Sequence, residues 1–108
     1  MKAPEVPTRL SVADADALPM PAGRISKQVL NTPGLEVCWY RPPNPDRQAP
    51  HDRDEVYVVV AGQGEFVRES ARVRFAPGDL LYAAQGEVHR FENHTPDTAG
   101  CVIFGPGG

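Results

Sequence analysis

From Ile25 onward the chain is a succession of short runs in which apolar and polar residues alternate, each cut off by proline or glycine. A period of two places successive side chains on opposite faces of an extended backbone, so these runs read as strands. Strands are expected over residues 25–30, 35–40, 56–61, 64–69, 72–75, 80–83, 89–92 and 101–104. The segments between them hold turn chemistry: Asn31-Thr32-Pro33-Gly34, Pro42-Pro43-Asn44-Pro45-Asp46, Ala76-Pro77-Gly78-Asp79 and Asn93-His94-Thr95-Pro96-Asp97. Twelve prolines and ten glycines leave little room for long helices. The expected class is all-β, antiparallel, in a single domain.

Before the first strand, residues 1–23 are proline-rich and weakly periodic and read as an irregular N-terminal arm. One short helical turn over residues 11–17, with Ser11 as its cap, interrupts it. The domain proper is expected over residues 24–105 and a tail over 106–108, with residues 4–7 and 105–108 as loose termini. Residues 56–61 break the alternation, being apolar at nearly every position, so both faces of that strand should be covered. An apolar outer face on so small a protein favours self-association, and a homodimer is expected.

Composition narrows the function classes. A chain of 108 residues supports one hydrophobic core, and 41% apolar with 23% charged residues is the balance of an ordinary globular protein. The net charge of −3 and the absence of a basic run argue against nucleic-acid or anionic-membrane partners. The first twenty residues carry Glu5, Asp14 and Asp16 and lack the basic start and apolar centre of a signal peptide. No run approaches the roughly 18 apolar residues of a membrane span, and a cytoplasmic location is expected. Cys38 and Cys101 lie far apart in apolar stretches and read as reduced core residues.

The chemistry concentrates at His51, Glu55 and His89. Two imidazoles and one carboxylate suit a divalent transition metal that keeps open positions. On one straight strand His51 and Glu55 would stand roughly 13 Å apart, too far for one ion. The chain must therefore turn at Asp52-Arg53-Asp54, with His51 on one strand and Glu55 on the next. Alternation from Glu55 then puts Tyr57, Val59 and Ala61 inside, and alternation from His89 does the same for Phe91 and Asn93. Tyr57 is the candidate catalytic residue, because an interior phenol needs a hydrogen-bond partner that a bound ligand can supply. Upstream, Asp46 and Gln48 could contribute oxygen. His94 reads as a solvated loop residue, and Arg53 and Arg90 as solvated charges or as contacts for an acidic substrate. Leu35, Val37 and Trp39 share one face and Cys38 and Tyr40 the other, with the inward side open.

These residues carry a resemblance to the cupin superfamily. Its first motif, G-x5-H-x-H-x3-4-E-x6-G, is similar to His51-x3-Glu55-x6-Gly62, and its second, G-x5-P-x-G-x2-H-x3-N, to Gly78, Gly86, His89 and Asn93. Ala84 stands where the second motif has proline, and Ala49 where the first has its leading histidine. The resemblance implies a jelly-roll β-barrel with one metal near its centre, held here by three ligands, His51, Glu55 and His89. Fe, Mn, Ni and Zn all suit that set. Two His and one carboxylate are similar to the facial triad of non-haem Fe(II) oxygenases, which makes a mononuclear, dioxygenase-like enzyme acting on a small organic molecule the first expectation. A metal-dependent isomerase, cyclase or lyase and a non-catalytic small-molecule-binding cupin are the alternatives.

Overall fold

In a computed structural model, which describes residues 7–69 and 71–106, the alternating segments form eight strands and one short helix. In chain order they are α1 (Val12–Ala17), β1 (Lys27–Thr32), β2 (Leu35–Tyr40), β3 (Glu55–Ala61), β4 (Gly64–Arg68), β5 (Ala71–Phe75), β6 (Leu80–Ala83), β7 (His89–Glu92) and β8 (Ala99–Phe104). Every pairing is antiparallel. One sheet has the order β1-β2-β8-β3-β6 and the other β5-β4-β7. This two-sheet antiparallel arrangement, with long connections between non-consecutive neighbours, is the expected jelly roll.

The strand boundaries moved where pairing extended them. β1 starts two residues later than alternation suggested and runs on to Thr32, which pairs with Leu35 across a turn of only Pro33-Gly34. β8 begins at Ala99 because Ala99 and Gly100 pair with Ala61 and Val59. Gly100 has no room for a side chain there, since a Cβ would lie 2.7 Å from the Val58 carbonyl oxygen. Gly62, at φ 91°, ends β3 so close to Thr98 that a Cβ would approach its Oγ1 to 2.3 Å. Of the ends read as loose, residues 4–6 and 107–108 lie outside the described residues, while Gly105 donates its N–H to Asp54 at 3.0 Å.

The two sheets face each other across an aromatic core. The larger contributes Cys38, Tyr40, Tyr57, Val59, Leu81, Ala83, Val102 and Phe104, and the smaller Phe66, Phe75 and Phe91. The Phe91 ring stands 5.1 Å from Tyr57, 5.2 Å from Phe66 and 5.4 Å from Phe75, all edge-on. Such T-shaped pairs add to the burial of the rings themselves. Cys38 and Tyr40 are therefore the inward residues of β2, which leaves Trp39 on the outside. Cys101, opposite Trp39 in register, also lies outside, so the two cysteines are on different faces of one sheet. Burial pushes both thiols above their ordinary pKa.

Helix α1 covers Trp39. Ser11 caps it through a capping box with Asp14, as the sequence suggested. Ala15 packs against Trp39 and Ala99, and Asp16 accepts from Trp39 Nε1 at 2.8 Å and from Arg41 Nε and Nη2 at 2.7 and 2.8 Å. Those bonds from Arg41 and Trp39 hold the Asp16 carboxyl well below the usual range. The rest of that outer face is only partly covered: Val56 and Val58 are half-buried and Val60 is 38% exposed. Within one chain, the inner face of this strand is closed and the outer face is left for a partner subunit to cover. Among the described residues no helix is long and apolar enough to cross a membrane.

Candidate metal centre

The three ligand candidates converge between the two sheets. Glu55 opens β3 and His89 opens β7, so a member of each sheet presents its side chain inward at one end of the core. His51 reaches the same point from the linker ahead of β3 and not from a strand. The expected turn at Asp52-Arg53 is present, but the preceding residues 41–54 pair with no sheet, as four prolines in that segment would dictate. One ligand atom from each of the three residues can be chosen so that all lie within 4.8 Å of one another. His51 Nε2 is 3.7 Å from Glu55 Oε1, and His89 Nε2 is 3.2 Å from Glu55 Oε2. Donor atoms bound to one ion at about 2.1 Å stand roughly 3 to 3.5 Å apart, so these separations fit a shared cation after small side-chain adjustments.

The hydrogen bonds around Glu55 and His89 define what the pair can hold. His89 Nδ1 lies 2.8 Å from the Glu87 carbonyl oxygen. A carbonyl only accepts, so Nδ1 carries a proton, and the neutral form of the ring would turn its Nε2 lone pair toward Glu55. Among the described residues Glu55 Oε2 is buried with no hydrogen-bond donor unless His89 Nε2 is protonated. Glu55 and His89 side chains are 1% and 0% exposed, so bulk solvent does not reach the pair. At 3.2 Å in a site shielded from bulk solvent, the two atoms call for a positive centre between them, either a proton on His89 Nε2 or a metal ion. In the metal-free protein burial pulls the His89 pKa down, but the Glu55 carboxylate and the Glu87 carbonyl outweigh it and hold it above the ordinary imidazole value.

Tyr57, on the inner face of β3, is 2% exposed, and its hydroxyl lies 3.1 Å from both Glu55 Oε1 and His89 Nε2 and 2.9 Å from Gln48 Oε1. Burial and the neighbouring Glu55 charge push the phenol well above its ordinary pKa, so it stays protonated. The space beside these groups, lined among others by Ser26, Tyr40, Gln48, His51, Tyr57 and Phe104, is about 20 Å³. That is the room of about one water. His51, at 32% side-chain exposure, is the ligand nearest solvent and marks the open side.

Other sequence expectations came out differently. Asn93 is exposed just beyond β7, at φ 51°, and donates to Glu65 at 2.6 Å, so it does not line the interior. His94 is buried, not solvated: its Nε2 meets the Pro42 carbonyl at 3.0 Å and its ring packs edge-on against Phe91. Arg53 is paired with Glu36 and lies 4.5 Å over the Phe104 ring, while Arg90 is paired with Glu92. Asp46 is no ligand, because Tyr40 Oη, Gln48 Nε2 and the Phe91 N–H already donate to its two oxygens. Tyr40 and Phe104, which line the space beside the candidate ligands, carried no sequence signal for the site; their facing follows only from which side of β2 and β8 meets the second sheet.

Comparisons with known proteins agree with this fold. The chain is 34% identical over 61 residues to an uncharacterized protein of Streptomyces coelicolor; the match covers 56% of this chain and 58% of that protein. The chain thus spans little more than half the length of that curated relative. The fold is similar to that of an uncharacterized conserved protein with a double-stranded β-helix domain from Klebsiella pneumoniae, at 22% identity and TM-score 0.67, covering 94% of this chain and 92% of the other. It is also similar to KdgF from a Halomonas species, at 26% identity and TM-score 0.61, covering 75% and 78%. Residues 42–104, more than half of the chain and including all three candidate ligands, match the family described as the cupin domain, and the chain belongs to that family.

Proposed function

We propose that the chain is a mononuclear metal-dependent enzyme of the non-haem oxygenase type, acting on a small organic molecule in the cytoplasm. The observation that carries this reading is the convergence of His51, Glu55 and His89 within 4.8 Å, with buried Glu55 Oε2 facing His89 Nε2 at 3.2 Å, a two-His, one-Glu set. Fe, Mn, Ni and Zn all suit these donors; the ion would supply Lewis acidity and, as Fe(II), the capacity to activate O₂. Glu55 and His89 form the rigid inner wall, held by burial and by the Glu87 carbonyl. His51 stands on the side from which a substrate enters. Tyr57 is placed to accept or donate a proton at its Oη, and Tyr40 and Phe104 keep bulk water out.

A second reading, an isomerase, cyclase or lyase, is favoured by that same Tyr57 hydroxyl within 3.1 Å of two ligands, where it could shuttle a proton. The two separate in one experiment. Metal-stripped protein reloaded with Fe(II) is given a panel of small chelating diols, hydroxy acids and diketones in an oxygen-electrode cell. Oxygen uptake with at least one member, lost in His89→Ala, is expected. Turnover that continues unchanged under strict anaerobiosis would replace the oxygenase reading with the proton-transfer one.

The reading includes a homodimer. Two apolar ladders cross the outer face of the larger sheet, Val37-Ile103-Val56-Tyr82 and Trp39-Cys101-Val58-Leu80, with Leu80 65% and Tyr82 42% exposed. A second copy brings the same face and can cover it about a two-fold axis. Light scattering on eluting protein should give the mass of two chains, and Leu80→Lys should shift it toward one. A monomeric wild type at micromolar concentration would exclude this assembly.

A further inference from the structure

The linker that supplies His51 also carries two side chains that act on the site without touching the ligand set directly. Asp46 is 4% exposed although it lies in a segment outside both sheets. Its Oδ1 accepts from the Tyr40 hydroxyl and its Oδ2 from the Phe91 N–H at 2.9 Å, which ties the linker to β2 and β7. Oδ2 also accepts from Gln48 Nε2 at 2.8 Å. A carboxylate only accepts, so the Gln48 amide must present its NH₂ to Asp46 and its Oε1 to the other side. There Oε1 meets the Tyr57 hydroxyl at 2.9 Å.

The Tyr57 hydroxyl has one proton and three acceptors within reach: Gln48 Oε1, Glu55 Oε1 and His89 Nε2. One of those, His89 Nε2, is an atom a metal would use, and Glu55 Oε1 belongs to the carboxylate that would hold it. If the proton sits on either of them, the phenol competes with the ion; if it sits on Gln48, both lone pairs stay free. We propose that Gln48 is a positioning residue that draws the Tyr57 proton away from the ligand atoms, with Asp46 fixing the amide in the orientation that makes this possible. The Tyr57 oxygen lone pairs then face the site, ready to accept a hydrogen bond from a bound water or substrate. This inference rests on the metal reading above and assigns the Ala49 region of the chain an orienting task in place of a fourth ligand.

The test is a double-mutant cycle on the full chain with Co(II) as probe, titrated into metal-stripped protein and read by its visible absorption and by equilibrium dialysis. Gln48→Met keeps the length and removes the amide; Gln48→Leu removes the acceptor independently if the first variant folds poorly. Loss of one oriented hydrogen bond should weaken Co(II) binding by about three- to tenfold. The decisive comparison is Tyr57→Phe, in which no proton remains to compete. In that background removal of the Gln48 amide is expected to change Co(II) affinity by less than about twofold, because the interaction it served is gone. An equal loss in both backgrounds would show that Gln48 only supports the linker, and an unchanged affinity in Gln48→Met alone would show that it does nothing; either overturns the inference. Wild-type protein that takes up no Co(II) would instead remove the metal reading, and this inference with it.

Discussion

His89→Ala is expected to lose stoichiometric divalent metal and, with it, most of the stabilisation that metal confers. His89 is the best-fixed of the three candidate ligands: its side chain is 0% exposed and Glu87 determines which nitrogen faces the site. Elemental analysis of wild-type protein from metal-replete expression should find about one ion per chain, the capacity of one three-ligand site. At a free metal concentration of 100 times Kd, binding adds about 2.7 kcal/mol to the folded state. For a domain of this size that raises the thermal midpoint by about 10–20 °C. If removing a ligand weakens binding by about 100-fold or more, the same metal concentration adds less than about 0.5 kcal/mol. Calorimetry of both proteins, chelator-treated and metal-saturated, makes the comparison. Equal metal-induced shifts in wild type and variant would place the ion elsewhere, and metal-free wild type would sink the site. His51→Ala should show the same pattern. Because protons compete for the same imidazole lone pairs, metal affinity should also fall as pH is lowered.

The second large effect lies in the core. Phe91 sits where the two sheets meet, with its ring against Tyr40, Tyr57, Phe66 and Phe75, and its backbone N–H on Asp46. Truncating it to alanine removes contacts to both sheets and leaves a cavity among Tyr40, Tyr57, Phe66 and Phe75. The expected cost is about 3–5 kcal/mol, a large part of the roughly 5–15 kcal/mol that keeps a domain folded. Phe91→Leu retains much of the volume and should cost on the order of 1.5 kcal/mol. Urea denaturation with an unchanged slope gives both values. A cost below about 1.5 kcal/mol for the alanine variant would show that the surrounding rings close the gap.

Much of this was legible in the sequence because strands announce themselves locally. Alternation marks each strand to within two residues at either end, and Ser11 followed by Asp14 marks the start of α1. Motif spacing singled out His51, Glu55 and His89, and alternation placed Tyr57 beside them. The errors have a common origin. Putting His51 on a strand extended the pattern into a segment whose prolines deny it ladder partners. Asn93 was carried inward by an alternation that stops at Glu92, one residue short. His94 was assigned to solvent because its neighbours are turn residues, yet the turn folds back so that Pro42 and Phe91 enclose it.

Alternation, turn chemistry and ligand spacing are short-range properties, and they were enough to specify an all-β chain with a candidate metal trio. Which face of β2 turns inward, which acceptors surround the Tyr57 proton and where Arg53 spends its charge are long-range matters. Each depends on residues brought together from distant parts of the chain: Tyr40 with Asp46, Gln48 with Tyr57, and Glu36 with Arg53. A period of two says that neighbours point to opposite sides, but it carries no sign. That sign came from packing, since only one choice buries Tyr40, Tyr57 and Phe104 against Phe66 and Phe91 while α1 shelters Trp39.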